Sequence, residues 1–346
     1  MIKSSKNSQD LVTPNKVEED FNVEVSLRPD NFSEFIGQSD MIANLKVFIK
    51  AAKQRKEALD HVLLFGPPGL GKTTIANIIS KELNVNINFS SGPILKIPGD
   101  AVGVLTSIAH GDVFFIDEIH RMPTVVEEFL YPAMEDYTVD WTIDKGPNSR
   151  SMQLAINPFT LIGATTRLGN LSSPLRDRFG VVLRLDYYEN EDLFKILLRS
   201  SKILKIQIDE NGAKEIARRS RGTPRIANRI LRRARDFAQI ESNGVINEKI
   251  ACESLDRLGI DASGLDDMDR RILEALGKKF NGGPVGVDSL GVAISEDPNT
   301  IEDVYEPFLI KEGFIQRTPR GRVALDRTYK YLDIENFNNN QTQIFK

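Results

Sequence analysis

Between about residue 60 and residue 185, short apolar runs alternate with stretches whose apolar positions recur every three or four residues. His61–Phe65 (HVLLF), Ile87–Ser90, Val113–Ile116 (VFFI), Thr160–Ala164 (TLIGA) and Val181–Leu185 (VVLRL) read as buried strands. Strands interleaved with helices predict a parallel α/β sheet. From about residue 187 to residue 258 the pattern turns all-helical, with helical spacing clearest in Leu193–Ile206 and Ile226–Ala238. Asp261–Asp269 (DASGLDDMD) is polar and contains glycine, so it reads as a hinge. Further helical segments lead to Gly313–Leu325 (GFIQRTPRGRVAL), two apolar runs flanking a basic turn, which suggests a winged helix. No fixed-period repeat is visible.

The expected order is therefore an α/β domain over 21–186, an all-helical lid over 187–260 and a winged-helix domain over 261–333. Residues 1–20 and the Asn/Gln-rich 334–346 read as flexible tails, because they offer too little apolar surface to pack. Two or three domains suit 346 residues, and 40% hydrophobic with 27% charged residues is the balance of a soluble globular protein. The net charge of −4 means that any nucleic-acid contact must come from a local basic patch. One cysteine, Cys252, excludes an intramolecular disulfide framework. His61, His110 and His120 are scattered, which argues against a structural zinc. No apolar run reaches a membrane span and the N-terminus lacks a signal-like region, so an intracellular location is the default expectation.

The sharpest chemistry lies at Gly66–Thr73 (GPPGLGKT), which fits G-x-x-x-x-G-K-[ST] between a buried strand and a helix. Glycines let backbone N–H groups turn inward around phosphate oxygens, and the helix N-terminus adds partial positive charge. Lys72 would reach the β- and γ-phosphates of a nucleotide, and the Thr73 hydroxyl would coordinate Mg²⁺. Asp112–His120 (DVFFIDEIH) is an apolar strand ending in two acids. Asp117 would hold Mg²⁺, directly or through water, and Glu118 would polarise the attacking water. His120 reads as a polar residue at a strand end and receives no role. In Leu161–Arg167 (LIGATTR), the hydroxyl of Thr165 or of Thr166 stands where a strand end could sense a γ-phosphate. Ser173–Gly180 (SPLRDRFG) carries two arginines flanking an aspartate, an arginine-finger pattern or a surface ion pair. In Arg221–Arg225 (RGTPR), Pro224 at a helix start places Arg225 in the first turn.

These five motifs, in this order, resemble the AAA+ ATPases. The wider set of strings resembles the RuvB family of bacterial Holliday-junction motors within them. The strings are Leu27-Arg28-Pro29, FIGQ from Phe35, GPPGLGKTT, DEIHR, LIGATTR, SPLRDRFG, RGTPRIANR, GGPVG, TIEDVYEP and GFIQRTPRGR. The resemblance covers about residues 22 to 332. It implies a homohexameric ring that hydrolyses ATP with Mg²⁺ and pumps duplex DNA, a RuvA partner on the four-way junction, and a RuvC resolvase. It implies Leu27 and Arg28 beside the adenine, Gly69, Lys72, Thr73 and Thr74 on phosphates and Mg²⁺, and Asp117 with Glu118 as the acidic pair. It further implies Thr166 or Thr165 as first sensor, Arg178 as the finger, and Arg225 as second sensor. Glu135, Asp136, Tyr137 and Tyr188 match further nucleotide-proximal family positions. Trp141–Ile156 aligns with a hairpin that contacts RuvA in the family, although Trp141, Asn148 and Ser149 depart from the family pattern there.

Two regions are rich in basic residues. Lys214, Arg218, Arg219, Arg221, Arg225, Arg229, Arg232, Arg233 and Arg235 form a run with Glu215 as the sole acid among them. It reads as a DNA stripe, as nucleotide or subunit contacts, or as solvated helix charges. The preferred DNA surface is the Gln316–Val323 turn with Arg317, Arg320 and Arg322, of which the resemblance favours Arg317 and Arg322. A clamp-loader-like AAA+ protein would share the nucleotide motifs but not the TIEDVYEP and QRTPRGR strings. A DNA-binding scaffold without turnover is disfavoured by Asp117, Glu118 and Arg178. A GTPase is disfavoured because no Asn-Lys-x-Asp segment is present.

Overall fold

The computed structural model describes residues 24–142 and 151–335. The N-terminal tail, almost all of the C-terminal one and the centre of the Trp141–Ile156 hairpin, including Asn148 and Ser149, lie outside the described residues. The chain divides into two compact units, one ending at Tyr188 and one starting at Glu189.

In the first unit the apolar runs assemble into one parallel sheet. Its strands are β1 (Val62–Phe65), β2 (Ile87–Ser91), β3 (Val113–Asp117), β6 (Thr160–Thr165) and β7 (Val181–Arg184), in the order β2-β3-β6-β1-β7. Between β3 and β6 in sequence, β4 (Thr138–Thr142) and β5 (Ser151–Ala155) form a separate antiparallel hairpin. All six residues of β6 are buried, as a central strand covered on both faces requires. Strand β2 differs from expectation. It is an edge strand with one neighbour, and Phe89 is 52% exposed, so its apolar run does not mark a buried strand. The helix Ser39–Arg55 buries Met41, Ile42, Leu45, Ile49 and Ala52, a three- and four-residue spacing that makes one apolar face.

His61 clamps the start of β1. Its Nδ1 accepts the Leu161 N–H at 2.9 Å, so the proton sits on Nε2, which donates to the Met134 carbonyl at 3.1 Å. Burial pushes its pKa below the ordinary 6.5. Above pH 6.5 the neutral ring matches both states. As pH falls below that value the unfolded chain takes up a proton that the folded chain refuses, so stability declines. The loss is bounded by about 1.4 kcal/mol per pH unit, the slope for one proton. Thermal unfolding of wild type and His61→Gln between about pH 7.5 and about pH 5.5 checks this. The variant should start less stable but lose less on acidification, and parallel pH curves would contradict the assignment.

The second unit contains two packed parts. The helices Asn190–Leu204, Glu210–Arg218, Pro224–Glu241 and Glu248–Arg257 form the lid, tied by a two-residue parallel pair, β8 (Gln207–Ile208) with β9 (Val245–Ile246). Much of its basic run is consumed internally. Arg218 and Arg219 pair with Glu215, and Arg219 reaches Asp256 and the Ile260 carbonyl. Burial alone would raise the Glu215 carboxyl, but the two guanidiniums outweigh it and hold it at about 2. Lys214 pairs with Glu210, and both Arg233 and Arg235 pair with Asp236.

The final part is a winged helix. The helices Asp267–Glu274, Val287–Ile294, Glu306–Lys311 and Asp326–Leu332 surround a core of Leu265, Leu276, Leu290, Tyr305, Phe308 and Phe314. Strands β10 (Ile315–Thr318) and β11 (Gly321–Ala324) make the wing, with Arg317 opposite Arg322. Gly321 (φ 130°) is required there, because a Cβ would fall 2.3 Å from the Val285 carbonyl oxygen.

The Asp261–Asp269 segment is not the loose hinge its composition suggests. Asp261 Oδ1 accepts the Ser263 and Leu265 N–H groups, and Oδ2 accepts the Tyr331 hydroxyl. Asp266 and Asp269 cap the following helix reciprocally. Arg221, in left-handed conformation at the end of the lid helix Glu210–Arg218, donates to the Gly264 carbonyl and pairs with Asp266 and Asp269. Its guanidinium stacks on Phe308 at 4.7 Å. Long-range partners therefore fasten the segment to both the lid and the winged helix.

Candidate functional site

Parallel strands bring their carboxyl ends to one edge, and the nucleotide motifs gather there. Register aligns Phe65 of β1 with Thr165 of β6, Ile116 of β3 with Gly163 of β6, and Ser91 of β2 with Asp117 of β3. The phosphate loop leaves β1 at Gly66, whose N–H donates to the Thr165 carbonyl at 3.2 Å. A Cβ at Gly66 (φ 146°) would lie 2.3 Å from the Leu185 carbonyl oxygen, so only glycine fits. Lys72 opens the helix Lys72–Leu83, and its Nζ donates to the Gly66 and Pro67 carbonyls at 2.7 and 2.9 Å. The ammonium is thereby held inside the loop's curve. Thr73 and Thr74 follow in the first turn, at the helix N-terminus.

Tyr188 roofs this loop. Its hydroxyl donates to the Leu70 carbonyl at 3.2 Å and lies 3.9 Å from the position of a Cβ on Gly71. Phe35, which opens the FIGQ string, reaches the same point at 3.6 Å. Leu27 is buried, while Arg28 is half-buried with its N–H on the Val25 carbonyl.

At the end of β3, Asp117 Oδ1 accepts the Glu118 N–H at 3.0 Å. Glu118 is left-handed (φ 48°), and its Oε2 accepts the Thr166 hydroxyl at 3.2 Å. Thr165, wholly buried, instead contacts His120 Nδ1 at 2.9 Å and accepts the Arg167 N–H. The two threonines are thus distinct: Thr166 faces the acid, and Thr165 faces the histidine. Gly92 was also absent from the motif reading. Its N–H donates to the Asp117 carbonyl at 2.8 Å, and a Cβ there would fall 2.4 Å from the Glu118 carbonyl oxygen.

Arg178 follows the short helix Ser173–Asp177. Its guanidinium donates to the Pro174 carbonyl at 2.7 Å, pairs with Glu135 at 3.2 Å and stacks on Tyr131 at 4.2 Å. None of these contacts is with the phosphate loop or with the Asp117–Glu118 pair. Glu135 closes the helix Thr124–Glu135, with Asp136 as its cap and Tyr137 in left-handed conformation. Arg225 occupies the first turn of Pro224–Glu241, as the Thr-Pro pair predicts.

Three family profiles match the chain in succession: Holliday junction DNA helicase RuvB P-loop domain over residues 27–185, RuvB AAA lid domain over 188–261 and RuvB C-terminal winged helix domain over 262–333. The chain belongs to the RuvB family. Holliday junction branch migration complex subunit RuvB of Parabacteroides distasonis is 60% identical over 306 residues, covering 88% of this chain and 90% of that one. The subunit of the same name from Myxococcus xanthus is 57% identical over 323 residues, covering 93% and 94%. The solved structure of the Thermotoga maritima RuvB Holliday junction branch migration motor superposes with a TM-score of 0.82 at 47% identity, covering 90% of this chain and 99% of that one.

The chain is thus an AAA+ ATPase, and its phosphate loop, the Asp117–Glu118 pair and the end of β6 lie at one sheet edge. The DNA-binding expectation divides at the wing. Arg317 is exposed and touches Glu302, and Arg320 is exposed on the turn. Arg322 is 6% exposed, bound by Glu306 at 2.9 Å and by Glu302 at 2.5 Å. Its guanidinium is held by these two carboxylates in the DNA-free chain, whereas the Arg317 and Arg320 side chains are exposed.

Proposed function

We propose that this chain is an ATP-driven motor that moves duplex DNA and so drives branch migration at four-way junctions in recombination and repair. The observation that carries the reading is the union in one chain of a complete phosphate-loop site with RuvB-type lid and winged-helix domains. A clamp loader would share the first and lack the last. The curated relatives are branch migration complex subunits by name, which supports the same substrate. Residues 21–186 would bind and hydrolyse ATP, 187–260 would form the lid, and 261–333 would engage DNA. The chain would work as a homohexamer inside the cell, with RuvA holding the junction and RuvC cutting it.

In this reading Leu27 and Arg28 flank the adenine and Tyr188 roofs the loop. Lys72 leaves the Gly66 and Pro67 carbonyls for the β- and γ-phosphates, an exchange of neutral acceptors for charged ones. Gly69, Thr73 and Thr74 present N–H and hydroxyl groups. The Thr73 hydroxyl and the Asp117 carboxylate are a hard oxygen donor set that suits Mg²⁺, which when bound supplies charge neutralisation on the phosphates. Glu118 orients and polarises the attacking water, with Thr166 as the first sensor beside it. Arg178 serves a neighbouring subunit's nucleotide, with Glu135, Asp136 and Tyr137 on the same surface. Arg225 serves as second sensor.

The decisive assay uses a synthetic four-way junction at fixed salt with ATP and Mg²⁺, with and without RuvA. ATP-dependent separation into duplex arms, stimulated by RuvA and lost in Lys72→Ala, is the expected result. Hydrolysis without junction processing, even with RuvA from the same source, would return the clamp-loader alternative.

A further inference from the structure

The mechanism above makes no use of His120. Its side chain is 8% exposed and sits in the 3₁₀ turn Ile119–Arg121, one turn past the acidic pair. Its Nδ1 lies 2.9 Å from Thr165 Oγ1 and 3.2 Å from Glu118 Oε2. The same Oε2 accepts the Thr166 hydroxyl. A bare ring nitrogen facing a carboxylate oxygen would set lone pair against lone pair, so Nδ1 carries the proton. That N–H is then shared between the Glu118 carboxylate and Thr165 Oγ1. Thr165 is braced in turn, because Oγ1 also accepts the Arg167 N–H at 3.0 Å.

The backbone beneath is equally constrained. Glutamate adopts the left-handed conformation of Glu118 only where surroundings impose it. Gly92 crowds the Glu118 carbonyl on one side and binds the Asp117 carbonyl. The side chain itself has three freely rotating bonds. The Thr166 hydroxyl and the His120 ring both lie against Oε2 and restrict its direction.

We propose that His120 is a positioning residue for hydrolysis: its Nδ1–H, braced on Thr165, holds the Glu118 carboxylate in line with the end of the central strand β6. His120 reduces the rotamers open to Glu118 and links the acid's aim to the strand that carries the sensor. This rests on the role given to Glu118 above. Loss of the N–H should therefore lower kcat more than ATP affinity, because the ring lies against Glu118, which acts on the water, and against Thr165 of β6.

The test compares ATP turnover and binding of a fluorescent ATP analogue for the full-length wild type, His120→Ala, His120→Gln and His120→Asn. The asparagine amide nitrogen lies where Nδ1 does, whereas that of glutamine corresponds to Nε2. Alanine and glutamine should lower kcat by about 10- to 100-fold with affinity within about threefold of wild type. Asparagine should recover most of the rate. Wild-type kcat in His120→Ala, or asparagine no better than glutamine at matched thermal stability, would overturn the proposal. Should His120→Ala not fold, Thr165→Val removes the brace without changing volume. It should lower kcat at constant affinity, and an unchanged kcat would count against the relay. Glu118→Gln with wild-type turnover would instead sink the role of Glu118 itself, and the positioning role with it.

Discussion

Arg178→Ala will bind ATP within about threefold of wild type and turn it over at least about 1,000-fold more slowly. The contacts of Arg178 explain why. Its guanidinium rests on Pro174, Glu135 and Tyr131, away from its own phosphate loop. Under the proposed trans role it would instead meet a second subunit's nucleotide. Removing it leaves Glu135, which is 55% exposed and easily solvated, and takes a donor from the Pro174 carbonyl and the stacking from Tyr131, so the fold should lose no more than about 2 kcal/mol. Lysine would keep the charge and lose the planar fork and the stacking on Tyr131, so Arg178→Lys should restore little. The sharper check is a mixture with Lys72→Ala. Each variant alone is inactive, one for want of a finger and one for want of a phosphate ligand. At a hybrid interface the Lys72→Ala subunit supplies Arg178 to a neighbour with an intact loop, and turnover should reappear. Mixed rings of confirmed composition with no recovery would show that Arg178 acts within its own subunit.

The chain's pattern carries the nucleotide site unusually far, and the reason is physical. A central parallel strand must be apolar throughout, so β1, β3 and β6 are continuous runs, and each chemical group follows directly where its run ends. Position along the chain then equals position at the sheet edge. Edge strand β2 (INFSS) is more polar than its neighbour β3 (VFFID), a local signal of a strand with one partner instead of two. Thr165 and Thr166 are adjacent, and only the fold shows that one points to His120 and the other to Glu118. Charged residues were harder still. Arg221 lies beside Arg225 in one motif, yet it is buried against Asp266, Asp269 and Phe308, more than forty residues away. Burial pushes the Asp269 carboxyl above the usual carboxylate range even with Arg221 beside it. Such a pairing depends on two helices meeting, which periodicity does not encode. One signal was present in the sequence: Glu302 and Glu306 stand four apart in TIEDVYEP. On a helix that spacing puts two carboxylates on one face, ready for a buried cation.

That cation is Arg322, and its loss should have the largest effect on stability. Arg322 and Arg317 face each other across the wing and share Glu302, so a charge count treats them alike. Their surroundings do not. Arg322 is 7% exposed at its side chain and Glu306 only 2%, whereas Arg317 is 59% exposed. Arg322→Ala strands the Glu306 carboxylate without its cation and should destabilise the winged helix by about 3–5 kcal/mol. Replacing the pair together, Arg322→Met with Glu306→Gln, should recover much of that loss because no charge is left buried. Arg317→Ala should change stability by less than about 1 kcal/mol. It should weaken duplex binding, and lower the slope of log affinity against log salt by about 0.9 if one phosphate contact is lost. Thermal unfolding and salt titrations on the same three variants separate the two roles. If Arg322→Ala unfolds at the wild-type temperature and yet lowers the salt slope, the guanidinium leaves its carboxylates when DNA arrives. The buried cluster would then be the DNA-free arrangement of a phosphate ligand rather than a fixed part of the wing.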